Sequence, residues 1–216
     1  MKKLLIISMI AIIFASCKND DYLIDGGISD ANVGTSTLAY LKSHPQLDTF
    51  AILIERAGLE DKVNSESTVF VANNRSINRY IDIILTELRE EDPAAKYNID
   101  SIPQDILTKY MGSYIFDGRI TRDDLKKEGK VYTSSNGEVR RISLEPVLSG
   151  EISYGDNLSN PPKYVYLTYK GGDDWDRWDD ITDDTKIIIR TSNLISTNGV
   201  IHVLQGTHVL FNTKSE

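Results

Sequence analysis

The apolar residues of this chain change their spacing near its midpoint, and this change restricts the fold more than any other feature. Up to about residue 110 they recur mainly every three or four positions, as in Leu47, Phe50 and Ile54, which is the period of an amphipathic helix. Beyond residue 112 they form short β-branched and aromatic runs of strand length. Helices crowd the first half and strands the second, which indicates an α+β protein with a largely antiparallel sheet.

Residues that begin or end helices support this division. Ser36 is predicted to cap a first helix, and Pro45 separates it from a second, which ends at Gly58. Asn74 is predicted to cap a long helix that ends at Asp92-Pro93. The predicted buried stripe of that helix consists of Ile77, Tyr80, Ile81, Ile84 and Leu88.

The predicted strands begin with residues 67–72 and otherwise fill the second half of the chain. Ser-Asn-Gly at 135–137 predicts a hairpin, and Asn198-Gly199 predicts a second tight turn in which these residues supply a positive φ. Alternation puts His202 on one face of a following strand whose two faces are both buried. The remaining predicted strands are 113–118, 130–135, 138–145, 164–170, 185–192, 200–205 and 208–211.

The N-terminus has the pattern of a secretory signal peptide over residues 1–16. Lys2 and Lys3 precede an apolar run from Leu4 to Phe14, which is too short to span a bilayer as a helix. Cys17 follows, and the stretch resembles a bacterial lipobox, in which the cysteine becomes the acylated first residue of the mature chain. The resemblance implies several acyl chains, enough for stable membrane anchoring. No thiol then remains for disulfides or catalysis.

Residues 17–34 are predicted to be the lipidated N-terminus and a flexible tether, rich in Asp, Asn, Gly and Ser. Asp20 and Asp21 resemble signals that send outer-membrane lipoproteins to the cell surface, and the alternative is an ordinary solvated tether. The formal net charge is −8, and it becomes −10 without residues 1–16, which hold two lysines and no acids. Such a surface repels nucleic acid, so no nucleic-acid partner is expected.

Three stretches resemble the fasciclin (FAS1) domain in their order and spacing: TVFVANNRSI at 68–77, SYIFDGRITRDDL at 113–125 and ISTNGVIHVLQGTHVLF at 195–211. The resemblance covers one domain at 35–213 and implies a wedge-shaped β-sandwich with helices packed along one side. It also implies adhesion or extracellular binding and no catalysis. The motif residues to which it gives a structural role are Thr68, Asn74, Asn198, Gly199 and His202.

The chain also departs from the family pattern. Ala72 stands where the first motif usually has proline, and Gln205 stands where an aspartate commonly follows the last motif. Ser113 and Tyr114 occupy the positions of a Tyr-His pair that is linked in the family to adhesive contacts. A receptor contact of that kind is therefore not expected here.

No motif for catalysis or metal binding is present, so we expect neither an enzyme, nor a cofactor, nor a metal. The segment GGDDWDRWDDITDDT at 171–185 holds the candidate ligand contacts. Its tryptophans offer flat faces and its carboxylates bind hydroxyls, a combination that sugar recognition uses, while calcium and a solvated loop without function are the alternatives. The candidate residues are Trp175, Trp178, Asp174 and Asp176.

The sequence thus favours a lipid-anchored binding or adhesion module of the outer membrane, exposed at the cell surface and contacting a glycan or an extracellular protein. The alternative is a structural accessory subunit of an outer-membrane complex that takes up polysaccharide nutrients. The sequence does not determine the oligomeric state.

Overall fold

We describe a computed structural model, which covers residues 30–146, 161–171 and 184–211. Five helices, three short 3-10 turns and seven strands make up this part of the chain, and the α+β class is confirmed. The helices are α1 (Thr37–Ser43), α2 (Asp48–Arg56), α3 (Glu60–Asn64), α4 (Asn74–Glu91) and α5 (Gln104–Tyr110), and the 3-10 turns are Ile99–Ser101, Met111–Tyr114 and Arg122–Asp124. The strands are β1 (Ser67–Val71), β2 (Ile115–Asp117), β3 (Lys130–Thr133), β4 (Val139–Pro146), β5 (Lys163–Tyr169), β6 (Thr185–Ile195) and β7 (Gly199–Leu204).

The first helices begin and end where the sequence predicts. The Ser36 hydroxyl accepts the N–H of Ala39 at 3.4 Å and caps α1. Gly58 follows α2 with a φ of +69°, a left-handed conformation that favours glycine at a helix end. Phe50 and Ile54 on α2 are completely buried, as the helical spacing requires.

The long helix α4 differs from the prediction in two respects. Its N-cap is Asn73, whose Oδ1 accepts the N–H of Ser76 at 3.0 Å, whereas Asn74 is already the first helical residue. Both asparagines are suitable caps by type, so only the geometry distinguishes them. The predicted buried stripe fails at its end, since Leu88 is 42% exposed although Ile77 is fully buried. The second half of α4 therefore extends beyond the core.

The seven strands form one sheet in the order β2-β1-β7-β6-β5-β4-β3. Every pairing among these strands is antiparallel except that of β1 with β7, which runs parallel from Ser67 opposite Gly199 to Val71 opposite Val203. Strand β6 pairs with β5 through residues 185–188 and with β7 through residues 189–195. Two register shifts interrupt its second half, and Asn193 there has a φ of +67°. The long, bulged β6 therefore joins the two halves of the sheet.

The end of the chain contradicts two sequence predictions. The 208–211 segment is not a strand, because β7 is already paired on both edges and the chain turns away at 205–207. Its apolar residues are buried in other ways: Leu210 is fully buried, and the Phe211 ring packs edge-on against Tyr80 at 5.3 Å. In addition, neither Asn198 nor Gly199 has a positive φ, so the predicted reason for the turn at that dipeptide is wrong.

One hydrophobic core unites the helices and the sheet. Phe50 of α2 meets Tyr114 edge-on with 5.6 Å between ring centroids, and Phe70 of β1 meets Phe116 of β2 edge-on at 5.5 Å.

Outside this core, the Val33 N–H donates to the carbonyl of Ile195 at 2.9 Å, and the Ile195 N–H donates to the carbonyl of Ala31 at 2.7 Å. The chain is therefore already bonded to β6 before residue 35, while residues 17–29 of the predicted tether lie outside the described residues.

Candidate functional site

Several predicted site residues lie outside the described residues. These are Cys17 and the four ligand candidates Asp174, Trp175, Asp176 and Trp178. The two ends of the acidic segment are described, and Asp184 Oδ1 accepts the N–H of Gly171 at 2.9 Å. This hydrogen bond holds together the base of the segment that carries the tryptophans.

The motif residues Thr68 and His202 act together inside the core. Thr68 Oγ1 donates to Gly118 O at 2.7 Å and accepts the N–H of Ile120 at 2.8 Å. His202 Nδ1 accepts the N–H of Asn193 at 3.2 Å, so the ring proton is on Nε2, which donates to Ile120 O at 2.9 Å. Both side chains are fully buried. They hold the 118–120 segment against the sheet.

Burial also determines the charge of His202. Loss of water around the ring lowers its pKa to about 4. The hydrogen bond to Ile120 raises the pKa, but by less than burial lowers it. The neutral ring stacks on Phe70 with 4.9 Å between ring centroids. His202 is therefore a neutral structural residue at pH 7, and both of its nitrogens are occupied.

Asn198 and Gly199 connect the last strand to the first helices. Asn198 Oδ1 accepts the N–H of Thr37 at 2.8 Å, and its Nδ2 donates to the carbonyls of Val63 (2.9 Å) and Ser65 (3.1 Å). A Cβ on Gly199 would lie 2.2 Å from the carbonyl oxygen of Ser67, nearer than any side chain can approach. Gly199 is thus needed for close packing between β1 and β7, and Asn198 for the contacts with the first helices. The sequence alone does not reveal these roles.

Two cavities lie side by side where β6 meets the 205–208 turn. The first, of about 640 Å³, is bounded by β5, β6 and the turn, and includes Tyr164, Lys186 and His208 in its wall. The second, of about 470 Å³, lies at the N-terminus of α4 against Asn74 and Arg75. Both are also lined by Arg190, Gln205 and Thr207, and we call them together the β6 groove. Each cavity has the volume of an ordinary ligand pocket.

His208 lines the β6 groove and holds a buried polar atom without a partner among the described residues. Its ring is only 5% exposed, and its Nε2 lies 3.0 Å from the hydroxyl of Tyr114. That hydroxyl already accepts the N–H of Phe211 at 3.0 Å, and burial raises the pKa of Tyr114 well above its ordinary value, so its proton is retained. Tyr114 also shares a side-chain hydrogen bond with Tyr169, so the contact with Nε2 is compatible with either tautomer of His208. The Nδ1 atom is buried and has no hydrogen-bond partner among the described residues.

The charged side chains among the described residues that line the β6 groove are positive, in contrast to the net charge of the whole chain. None of the described residues that line it is an aspartate or a glutamate. Arg75 and Arg190 are exposed, and neither makes a hydrogen bond or an ion pair with the described part of the chain. Lys186 is different, because its Nζ lies 2.6 Å from Glu145 Oε2 and 4.5 Å from the centroid of the Tyr166 ring.

Within residues 30–146, 161–171 and 184–211, no three or more His, Cys, Asp or Glu side chains are grouped so that they could hold a metal ion. Within the same residues, no helix combines the length and apolar character that crossing a bilayer requires.

The fasciclin domain family model matches residues 45–207, which is three quarters of the chain. The chain belongs to the fasciclin domain family. Among solved structures it is similar to a FAS1 domain pair from the insect cell adhesion molecule fasciclin I. That match has 16% sequence identity and a TM-score of 0.48, and it covers 82% of this chain and 51% of the other. The chain thus spans about half the length of that relative, and no curated protein matches it.

Fasciclin domains are adhesion-type, non-catalytic modules, and no enzyme family matches this chain. The family's Tyr-His positions are Ser113 and Tyr114 here, and both are buried, at 4% and 1% exposure. Tyr114 is instead bonded to His208 and Phe211. His208 and Arg190 were not predicted as groove residues, because they line the same cavity from separate parts of the sequence. The one sequence signal for this groove was Arg190, a basic residue directly after the three isoleucines of β6.

Proposed function

We propose that this fasciclin domain is a lipid-anchored binding module that makes adhesive contacts at the surface of a bacterial cell. The observation that carries the proposal is the fasciclin match over residues 45–207, because members of this family serve as adhesion modules. In this proposal the partner is a glycan or an extracellular protein.

The N-terminal sequence supports the anchor. An apolar run of signal-peptide length leads to Cys17, the single cysteine of the chain. The mature chain would carry a net charge of −10, with 22 basic and 32 acidic residues, and its surface would be repelled by anionic lipid headgroups. Stable residence at the membrane would therefore depend on acyl chains, each contributing about 0.8 kcal/mol per buried CH₂.

The proposed contact surface includes the acidic segment with Trp175 and Trp178. The hydrogen bond between Gly171 and Asp184 supports this proposal, because it closes the base of the segment and brings its two ends together. Aromatic faces flanked by carboxylates, here Asp174 and Asp176, suit the apolar faces and hydroxyls of a sugar.

The anchor is tested in cells that express the full chain or its Cys17→Ser variant. We expect incorporation of an alkyne-labelled fatty acid and membrane fractionation in the first and neither in the second. Ser16→Ala is the matched control, and it should retain the label. Digestion of the domain by protease added to intact cells, with a periplasmic protein left undigested, would support surface exposure. An unlabelled or fully protected domain would contradict the proposal.

The contact is tested with the full chain, purified in detergent, on a glycan array and in adhesion of cells to coated surfaces. Trp175→Ala with Trp178→Ala should reduce binding at least tenfold, whereas Ile83→Ala, at an exposed apolar residue of α4, should not. Unchanged binding in the tryptophan variant would exclude this segment as the contact. Recovery of the chain only in a stable complex with an uptake receptor would favour the accessory-subunit function instead.

A further inference from the structure

We propose that the C-terminal half of α4 is a self-association surface, through which two copies of this domain pair with their α4 helices antiparallel. The surface is built on four apolar residues, which we call the α4 stripe: Ile81, Ile84, Leu85 and Leu88. This inference goes beyond the proposed function, because its partner is a second copy of the chain, and the surface does not depend on the lipid anchor.

The α4 stripe continues the buried side of the helix past the edge of the core. Ile77 is fully buried and Ile81 still packs against the core, whereas Leu88 is 42% exposed. Ile84 and Leu85 lie between these extremes and are partly exposed. The four positions follow the spacing i, i+3, i+4, i+7, which places them on one side of the helix. Apolar residues so arranged form the seam through which two helices pair.

Two opposite charges flank the stripe on one side. Asp82 and Arg89 are seven residues apart, which is about two turns, and both lie about 100° around the helix from the centre of the stripe. Both are exposed, and neither forms an ion pair with another residue in the described ranges. The Arg89 Nε donates to the carbonyl of Ala95 at 3.3 Å, and the guanidinium has four further N–H donors for a carboxylate.

These charges determine which orientation of the two helices is favoured. A two-fold axis near residues 85–86 places Asp82 of each copy opposite Arg89 of the other, so the same ion pair forms twice, as a two-fold interface requires. In that register no acidic residue of α4 lies opposite another acidic residue. A parallel pair would instead place each charge opposite its own copy, which is repulsive. The surface is therefore complementary to itself only in the antiparallel arrangement.

The size of the contact indicates a weak and reversible pair. The helices would overlap from about residue 80 to residue 91, a length of about 18 Å. Such a contact falls below the roughly 1,200 Å² of total buried surface that stable complexes reach, and interfaces of that size are transient. Two copies held in one membrane would meet at a higher effective concentration than in solution, which favours the pair there.

The first test is disulfide cross-linking of the full chain in membranes, with copper phenanthroline as the oxidant. Leu85→Cys places a thiol close to the two-fold axis and should give a disulfide-linked dimer. Ile83→Cys is the matched control, since Ile83 is 45% exposed on the same helix but lies about 150° around it from the centre of the stripe. We expect at least about fivefold less dimer from this control, because both variants have the same anchor and the same density in the membrane.

The other occupants of the stripe give different results. Equal cross-linking of Leu85→Cys and Ile83→Cys would reflect random collision and overturn the proposal. A disulfide from Leu85→Cys to another protein would show a different partner, and the absence of any intermolecular disulfide would show that lipid or the same chain covers the stripe. A dimer of the unsubstituted chain would have to form through Cys17, and it would count against the acylated anchor and not against this surface.

The second test exchanges the two charges and measures association of the detergent-purified full chain by sedimentation equilibrium. Asp82→Arg or Arg89→Asp alone places like charges opposite each other, and each should weaken dimerisation about tenfold. The double variant restores opposite charges and should dimerise within about threefold of the unsubstituted chain. A double variant that is no stronger than either single variant, or a chain that stays monomeric up to millimolar concentration, would overturn the antiparallel pair.

Discussion

Lowering the pH from 7 to 5 should destabilise this domain by about 3.5 kcal/mol, through His202 and His208 alone. Burial lowers the pKa of each from its ordinary value of 6.5 to about 4. The unfolded chain takes up these two protons near pH 6.5, whereas the folded chain takes them up only near pH 4. Stability is therefore constant well above pH 6.5, begins to fall near pH 7 and decreases further as the pH is lowered towards 4.

The magnitude follows from the two pKa values. One unit corresponds to about 1.4 kcal/mol, so each histidine contributes about 3.4 kcal/mol over the full interval. At pH 5 about 2 kcal/mol of this is lost for each ring, and a small part is already lost at pH 7. Asp48 and Asp124 change at lower pH, because the side chains of Asn74 and Thr121 respectively donate hydrogen bonds that lower the pKa of these carboxyl groups. The interval from pH 7 to pH 5 therefore lies above the titration of these two carboxyl groups.

The assay is urea unfolding at pH 7, 6 and 5 at constant ionic strength, followed by tryptophan fluorescence and circular dichroism. His208→Gln should remove about half of the pH dependence, since its side chain stays neutral throughout. NMR titration of the imidazole carbons of the unsubstituted protein gives a second measurement that does not depend on a variant folding. Equal stability at pH 7 and pH 5, or imidazoles that titrate near 6.5 in the folded protein, would refute the reasoning.

Three further predictions concern stability and can be measured by denaturant unfolding. Gly199→Ala should cost about 3 kcal/mol or more, because its Cβ would meet the Ser67 carbonyl at 2.2 Å, whereas Gly206→Ala, with only side-chain atoms at 3.3 Å, should cost far less. Thr68→Val should cost about 1–3 kcal/mol by leaving one buried and one partly buried backbone group unpaired, and Thr68→Ser should retain most of the stability. Asn73→Ala should cost about 1 kcal/mol through loss of the α4 cap.

Each of these has an outcome that would contradict it. Equal costs for the two glycine variants would show that the close approach to Ser67 is relieved by movement of the strands. Equal stability of Thr68→Val and Thr68→Ser would mean that the hydroxyl is not needed by the 118–120 segment. An unchanged denaturation midpoint for Asn73→Ala would mean that another residue caps α4.

The regular elements could be predicted because each depends on local chemistry. The period of Phe50 and Ile54, the cap at Ser36 and the φ of Gly58 are properties of a few neighbouring residues, and the structure confirms them. The 208–211 run failed for a non-local reason. Its composition suits a strand, but β7 already has a neighbour on each edge, so the run is buried against other parts of the core.

The groove and the core network could not be predicted, because their members are distant in sequence. Tyr114 and His208 are 94 residues apart and share one hydrogen bond. Likewise, the importance of Gly199 arises from a strand that lies more than 130 residues earlier. A periodicity argument assigns such residues to a face but does not identify which atoms remain unpaired.

The position of β7 has a consequence for how the chain acquires its fold. This last strand is inserted in the middle of the sheet, between β1 and β6, and its parallel partner begins at Ser67. During synthesis or export, β1 and β6 would each keep an unpaired edge until residues 199–204 had emerged. Pairing between strands that are so distant in sequence is slow. A chain cut short before Gly199 would therefore expose two unpaired edges of its sheet, and aggregation would be the expected fate of such a fragment.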